Sequence, residues 1–440
     1  MDLRNKKFSV LGIARSGLAV AELIESNGGK VFLSDKNNQE SLNLPDSTIK
    51  KFDCEFGGHS DKIFDCDYLI VSPGVPLNIN PIKEAERRNI KIINEIELGY
   101  EVLGRKAKII AVTGSNGKST VTSLIYHLLK SAGLKVVVGG NIGIPFTSCN
   151  LIEPEYDFVV LELSSFQLDL ISSFRPDVAV LTNITPDHLN RYRDFEDYAL
   201  SKFRIFMNQT EEDKAVVFID DPVIKENLRR INSSLMCFSD NKEAEGFSVG
   251  ENEIKIGNRN ISLNNMKIKG PHNRQNTMAA LLAVSGLGID LDEIIPHLDS
   301  FYPLEHRLEE AGIKNGIKFI NDSKATNTDS VRFALMSYDS PIHVILGGSD
   351  KGEDFSVLMP YLRDKTKEIY LIGETKQKMK DCFSGLKYSE CDSMEDAVFK
   401  AFKNAEWGEV VLLSPACASF DMFENFEDRG KKFKEIVSKL

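Results

Sequence analysis

Short apolar runs, each closed by glycine, serine or aspartate, recur along the chain and alternate with longer stretches of helical spacing. F-S-V-L-G-I-A at Phe8 to Ala14 is followed by a helix-like stretch near Leu18 to Ser26, then by K-V-F-L-S-D at Lys30 to Asp35. This is the β-α-β rhythm of a parallel sheet. It returns in D-Y-L-I-V-S-P-G, K-I-I-A-V-T-G, D-F-V-V-L-E-L and D-V-A-V-L-T-N, and late in the chain in I-H-V-I-L-G-G, E-I-Y-L-I-G and E-V-V-L-L-S-P. The pattern predicts an α/β protein of three modules. One boundary is expected near Glu95 to Leu103, ahead of a new strand, and another near Phe301 to Arg307, around the Pro303 break. Between Asn241 and Lys269 the chain turns polar and asparagine-rich with short alternating strands, which reads as a surface β excursion of the central module.

Length supports the division. A chain of 440 residues exceeds one ordinary core, and domains over 1–97, 98–302 and 303–440 are expected. Hydrophobic content of 42% and charged content of 27% are those of a soluble globular protein. A formal net charge of -11 argues against a nucleic-acid partner, which would require a concentrated basic surface. Seven cysteines without C-x-x-C spacing suggest neither a zinc site nor a disulfide framework, and fit a reducing compartment. The apolar run after the basic start is halted by Arg15, too soon for a secretory segment, and no run approaches membrane-spanning length. The expectation is a cytoplasmic monomer without membrane insertion.

The clearest chemistry lies in K-I-I-A-V-T-G-S-N-G-K-S-T, Lys108 to Thr120. Gly114 and Gly117 let backbone N–H groups approach an anion, Lys118 can reach terminal phosphates, and the Ser119 hydroxyl can complete a magnesium shell. ATP is the expected ligand. The first glycine of the longer G-x-x-x-x-G-K-[ST] pattern is replaced by Val112, so this is a shortened variant.

Other candidates are weaker on their own. Gly12 to Gly17, G-I-A-R-S-G, resembles the dinucleotide fingerprint with Ala14 at the middle glycine, and Asp35 ends the next strand where a ribose-binding acid would stand. A tight turn packing helix on strand, with no ligand, explains the same residues. S-P-G-V-P at Ser72 to Pro76 follows another strand and could line the same crevice. Glu162 closes D-F-V-V-L-E-L, where magnesium beside a phosphate loop would need a ligand. His188, beside Asp187, could serve a metal or be a surface group, and spacing gives Lys202 no special role.

In order, these pieces resemble the Mur ligases of peptidoglycan synthesis over essentially the whole chain. The resemblance rests on T-G-S-N-G-K-S-T, G-G-N-I-G at Gly139 to Gly143, L-E-L-S-S-F-Q-L at Leu161 to Leu168, H-N-R-Q-N at His272 to Asn276, E-H-R at Glu305 to Arg307, N-D-S-K-A-T-N at Asn321 to Asn327 and S-P-A-C-A-S-F-D-M-F-E-N-F at Ser414 to Phe426. The first module and the last block resemble the D-glutamate-adding branch. The resemblance implies a Rossmann-like N-terminal domain for the UDP end of the substrate, a central P-loop ATPase-type domain and a Rossmann-like C-terminal domain that admits the amino acid. It likewise implies a reaction that joins D-glutamate to UDP-N-acetylmuramoyl-L-alanine through an acyl phosphate made with ATP.

The resemblance also distributes roles. Gly114, Ser115, Asn116, Gly117, Lys118, Ser119 and Thr120 hold the ATP phosphates, Asn273, Asn276 and Arg307 meet ATP from the central domain, and Asp322 reaches the ribose. Of two magnesium ions, Ser119 and Glu162 hold one, and His188 with a carbamylated Lys202 holds or positions the other. Arg15, Ser16, Asp35 and Gly74 serve the UDP end, and Asn141, Ser164 and Gln167 face the bound substrate. Lys324, Thr326, Lys351, Ser419 and Phe426 meet D-glutamate. Cys417 is expected to pack rather than react, since the implied chemistry needs no thiolate.

Overall fold

The computed structural model describes residues 1–42, 44–188, 191–241, 246–268 and 270–440, the side chains of Asp46 and Ser47 excepted. Three α/β sheets account for the strand rhythm. The first holds β1 (Lys7–Leu11), β2 (Lys30–Asp35), β3 (Asp53–Phe56), β4 (Tyr68–Val71) and β5 (Lys91–Ile93), in the order β3-β2-β1-β4-β5 and parallel throughout. Val10 pairs with Leu33 on one side and Ile70 on the other, and all three side chains are buried, as apolar strands covered on both faces should be. Helix α1 (Arg15–Ser26) turns Val20, Ala21 and Ile24 into the interior. Strand order reverses between β1 and β4, so the loops after these two strands flank the crevice where such sheets take ligands.

Helix α2 (Glu95–Leu103) occupies the expected first boundary and leads into the central sheet. That sheet comprises β6 (Lys108–Thr113), β7 (Val136–Gly140), β8 (Phe158–Glu162), β9 (Val178–Leu181), β10 (Lys214–Phe218) and β11 (Ser234–Phe238), in the order β11-β10-β9-β6-β8-β7 and again parallel. Helix α3 (Lys118–Ser131) carries the chain from β6 to β7, leaving the place that β8 then fills. The ends of β6, β8 and β9 thereby lie side by side, with helix α4 (Ser165–Leu168) after β8 and α5 (Phe195–Phe203) after β9.

After the short strand β12 (Phe247–Val249), β13 (Glu253–Ile256) and β14 (Arg259–Ser262) pair as an antiparallel hairpin, in keeping with the expected β excursion, of which residues 242–245 and Lys269 lie outside the described residues. Helix α6 (Pro271–Gly286) follows. The third sheet orders β15 (Glu309–Lys314), β16 (Ile317–Asn321), β17 (Ile342–Gly347), β18 (Thr366–Ile372), β19 (Tyr388–Glu390) and β20 (Val410–Leu413) as β15-β16-β20-β17-β18-β19, parallel except for β15 against β16. Helices α7 (Thr328–Met336) and α8 (Met394–Asn404) connect its strands, and α9 (Phe426–Ser438) packs Phe433, Ile436 and Val437 into one of its cores.

By compactness the chain forms two units, one of 1–184, 194–248 and 277–297, the other of 185–193, 249–276 and 298–440. The first holds the first and central sheets. The second holds the third sheet, the β13–β14 hairpin and the segment around His188, so the β excursion is divided, its part up to Ser248 staying with the central sheet and its part from Val249 falling in the second unit.

Candidate active site

Gly117, at φ 84, closes the phosphate loop in the left-handed region one residue before α3 begins at Lys118. Gly114 has φ 147, and a Cβ there would overlap the Thr182 hydroxyl, so both glycines are set by backbone geometry. The segment after β9 braces the loop. Ser115 N–H donates to the Asn183 carbonyl and Asn116 N–H to Asn183 Oδ1, each at 2.9 Å, while Thr182 Oγ1 donates to the Asn116 carbonyl at 2.6 Å. Thr182 and Asn183 escape notice in the sequence, where T-N after a strand carries no motif.

Two lysines converge on this loop. Lys118 Nζ donates to the carbonyls of Gly114 and Ser115 at 2.8 Å, so its ammonium is already held where a terminal phosphate would compete for it. Lys202, on α5, is 2% exposed, and its Nζ donates to the same Gly114 carbonyl at 2.9 Å. Its Nζ also lies 4.5 Å from the Tyr198 ring centroid, and the Tyr198 hydroxyl shares a 2.9 Å hydrogen bond with Ser115 Oγ. A lysine to which spacing gives no special role is therefore buried against the phosphate loop. Ser119 and Thr120 follow in the first turn of α3, both buried.

Glu162 is 1% exposed at the end of β8. Asn141 Nδ2 donates to its Oε1 at 2.6 Å, and Asn141 N–H donates to its carbonyl at 2.8 Å. Its Oε2 is buried with no hydrogen-bond partner. Leaving a buried carboxylate oxygen unanswered is costly, and an oxygen-seeking divalent cation is the partner its chemistry suits. The residues therefore fit a magnesium ion.

His188 lies in the stretch grouped with the second unit, where its N–H donates to Asp187 Oδ1 at 2.9 Å. Asp187 Oδ1 is also 4.0 Å from Lys351 Nζ.

At the first sheet, Asp35 braces the glycine loop. Its Oδ2 accepts from Ile13 N–H at 2.8 Å and its Oδ1 from Asn37 N–H at 2.9 Å. The Ser72 hydroxyl donates to the Gly12 carbonyl at 2.8 Å, which brings the start of S-P-G-V-P against the glycine loop. Gly17 allows helix and loop to close, since a Cβ there would overlap the Gly12 carbonyl. Arg15 and Gly74 are exposed at this rim and Ser16 half-buried. Ser164 and Gln167 form a capping box at α4, Gln167 Oε1 accepting from Ser164 N–H at 2.9 Å and Ser164 Oγ from Gln167 N–H at 3.3 Å.

Helix α2 ties the first and central sheets together through acids that no sequence motif marks. Glu97 accepts from Ser172 N–H and Oγ, Ser173 N–H and Oγ, and Phe174 N–H. Burial would raise its carboxyl, but these donors outweigh it and hold the group below its ordinary range. Glu95 Oε1 accepts from Thr147 N–H at 2.7 Å, while its Oε2 is buried and unpartnered, and burial pushes this carboxyl up to about 7.

In the second unit, loops after β16, β20 and β17 lie at one edge because those strands are adjacent. Lys324 Nζ sits 3.6 Å from the Phe426 ring centroid, which brings together two residues a hundred positions apart. Thr326 is half-buried on the same loop. Ser419 is buried, and its carbonyl accepts from Phe423 N–H at 2.8 Å. Asp322 accepts from Ser414 Oγ at 2.9 Å and Leu308 N–H at 3.2 Å; burial pushes its carboxyl up to about 7 against the pull of Arg307 and Arg429. Asn273 and Asn276 share a face of α6, joined by a 3.1 Å hydrogen bond.

Arg429, unsuspected from sequence, holds two of these loops. It is 1% exposed, with Nε donating to Ser323 Oγ at 2.9 Å, Nη2 to the Ser323 carbonyl at 2.8 Å and Nη1 to the carbonyls of Cys417 and Ala418 at 3.1 and 3.2 Å. Burial among neutral oxygens lowers it to about 10. Cys417 packs beneath, its thiol pushed up by burial to about 12, which disfavours a nucleophilic thiolate. The one acid and histidine cluster of metal-ligand spacing among the described residues, Glu305, His306 and Glu309, is answered by Lys434, whose Nζ donates to both glutamates.

Residues 112–284 match the Mur ligase middle domain, 306–417 the Mur ligase glutamate ligase domain and 7–80 the MurD N-terminal domain. A UDP-N-acetylmuramoylalanine--D-glutamate ligase of Koribacter versatilis is 40% identical over 449 residues, covering 100% of this chain and 99% of its own. The chain belongs to the Mur ligase family. Among solved structures, the MurF ligase of Thermotoga maritima in complex with ADP shares the fold at a TM-score of 0.66 and 17% identity, covering 100% of this chain and 99% of its own. UDP-N-acetylmuramate-alanine ligase MurC of the same organism does so at 0.62 and 21%, covering 99% and 100%. This Mur ligase is thus a three-domain α/β enzyme and an ATP-dependent amide-bond-forming ligase. No helix among the described residues is long and apolar enough to cross a membrane.

Proposed function

We propose that this chain joins D-glutamate to UDP-N-acetylmuramoyl-L-alanine at the expense of ATP, acting as a cytoplasmic monomer in peptidoglycan precursor synthesis. The match of residues 7–80 to the MurD N-terminal domain and the identity to a D-glutamate ligase over the full chain support this branch. One observation carries the chemistry: two amines, of Lys118 and Lys202, meet on the Gly114 carbonyl, near the buried Glu162 carboxylate at the end of the adjoining strand.

Amide formation from a carboxylate in water is uphill. The substrate carboxylate therefore takes the γ-phosphoryl group of ATP with release of ADP, and the D-glutamate amine displaces phosphate from the acyl phosphate. The loop from Gly114 to Ser119, braced by the Asn183 bonds of Ser115 and Asn116, and the start of α3 receive the ATP phosphates. Lys118 exchanges its bonds to the loop carbonyls for the terminal phosphate, and Thr120 supports the loop. Magnesium, when bound, offsets the charge of the reacting anions. Ser119 and Glu162 would hold one ion, and His188 with a carbamylated Lys202 a second. A carbamate nitrogen keeps one N–H, so the bond to Gly114 can persist while two oxygens become available. Asn273, Asn276 and Arg307 serve ATP, and Asp322 its ribose.

The domains divide at 1–97, 98–302 and 303–440. Arg15, Ser16 and Gly74 line the UDP crevice, Asp35 holds its glycine loop, and Asn141, Ser164 and Gln167 face the rest of that substrate. Lys351, Lys324, Thr326 and Ser419 bring cations and hydroxyls to D-glutamate, with Phe426 as an apolar wall. The product tests the proposal. Mass spectrometry of the UDP-sugar after incubation with ATP, magnesium and D-glutamate should show one added glutamyl residue, and an unchanged mass would refute it.

A further inference from the structure

Beside the UDP crevice of the first sheet, Glu55, Ser34 and His59 form a hydrogen-bonded chain that the proposed function leaves unused. Ser34 Oγ lies 2.7 Å from Glu55 Oε1 and 2.6 Å from His59 Nδ1, and Ser34 is fully buried. Glu55 also accepts from Ser60 N–H at 3.0 Å and Ser60 Oγ at 2.5 Å. The loop carrying His59 lies against the segment that begins with Asp35: Gly58 N–H donates to the Asp35 carbonyl at 3.3 Å and Gly57 N–H to the Asn37 carbonyl at 3.0 Å. Ser34 itself accepts from Gly12 N–H at 2.9 Å through its carbonyl, which links the cluster to the glycine loop.

The direction of the chain follows from proton counting. Burial would raise the Glu55 carboxyl, but the bonds from Ser34 and Ser60 hold it below its ordinary range, so it is an anion that can only accept. The one Ser34 hydroxyl proton therefore goes to Glu55. Ser34 Oγ is left as an acceptor for His59, whose proton must then sit on Nδ1. Neutral His59 thus carries a lone pair on Nε2. That nitrogen makes no hydrogen bond among the described residues, and the side chain is only partly buried. Each oxygen of Asp35 already accepts a backbone N–H, so the acid that the glycine pattern assigns to a nucleoside is largely committed to the loop.

We propose that His59 is a nucleoside-recognising residue of the UDP crevice, its Nε2 accepting a hydrogen bond from a donor on the uracil or ribose. The proposal rests on the reading that the first sheet binds the UDP end. Glu55 and Ser34 are positioning residues that fix the tautomer and hold the ring. When His59 takes a second proton, Nε2 becomes a donor and the contact is lost. Burial lowers its proton affinity, with Glu55 and Asp35 opposing, so the loss falls below pH 6.5, the ordinary histidine value. The charged groups facing the ring are these two acids.

The test is titration calorimetry of the full chain with UDP-N-acetylmuramoyl-L-alanine, whose diphosphate diester does not titrate between pH 5 and 8. His59→Ala should weaken binding about ten-fold at pH 7.5, raise the KM for this substrate alike, and leave kcat and the KM for ATP within about two-fold. Wild-type affinity should fall between pH 7.5 and 5.5, and the variant should be flat. His59→Gln, which can present an amide oxygen near the Nε2 position, should recover part of the loss, and the wild-type pH profile needs no variant to fold. UDP carrying a 3-methyluracil base or a 2′-deoxyribose identifies the donor: the analogue lacking it binds wild type and His59→Ala equally. Equal affinity of wild type and a folded His59→Ala, with equal pH profiles, overturns the role of His59 while UDP binding stands. If UDP does not bind the wild type at all, the crevice reading itself falls and the proposal with it.

Discussion

Asn141 Nδ2 holds Glu162 Oε1 at 2.6 Å and leaves Oε2 of the same carboxylate buried and unpartnered. One oxygen is therefore positioned by protein and the other is reserved. Glu162→Gln keeps the shape and removes the charge. Phosphate-releasing turnover should fall by about 100-fold or more, while the melting temperature should hold or rise, because an unanswered buried carboxylate has been removed. Wild-type turnover in this variant would remove Glu162 from the reaction.

Lys202 gives a second test. Lys202→Ala removes a buried amine beside the phosphate loop, and activity should drop by about 100-fold. If the working group is a carbamate, formate or acetate at millimolar concentration should restore part of the activity by occupying the vacated space. Full activity without rescue would make Lys202 structural only.

The raised carboxyl of Glu95 sets a pH dependence of stability. Its folded value near 7 exceeds the ordinary 4.5, so the folded state binds the proton more tightly, and its contribution is present below pH 4.5 and lost as pH rises through 7. Glu95→Gln stays neutral throughout. The stability of the variant relative to wild type should therefore increase from pH 5 to pH 8, by at most about 3 kcal/mol, read from melting curves. A difference independent of pH would contradict the assignment.

Arg429 predicts a selective defect. Arg429→Met preserves bulk but frees the loops at Ser323 and Cys417, so the KM for D-glutamate should rise by about ten-fold or more with little change in the KM for the UDP-sugar. Equal rises in both would point to general unfolding.

These residues also mark how far the sequence could be read. The phosphate loop and Glu162 were legible because glycines, a lysine and a strand-end acid have a fixed local geometry. Strands such as Val178–Leu181, buried on both faces, declared themselves by composition. Edge strands such as Tyr388–Glu390, half exposed and three residues long, did not. Asp35 was legible in position, but its engagement with Ile13 N–H depends on how the glycine loop turns back over β2. Lys202 and Arg429 were illegible from pattern for one reason. Their partners, Gly114 and Ser323, are distant in the chain, and a hydrogen bond to a remote backbone carbonyl leaves no local signature.

The most direct measurement is phosphate release with ATP, magnesium and UDP-N-acetylmuramoyl-L-alanine, comparing D-glutamate with L-glutamate, glycine, L-alanine and L-lysine. Release that requires both the UDP-sugar and D-glutamate is the predicted result. Release driven by a different amino acid, or by none of them, would contradict it.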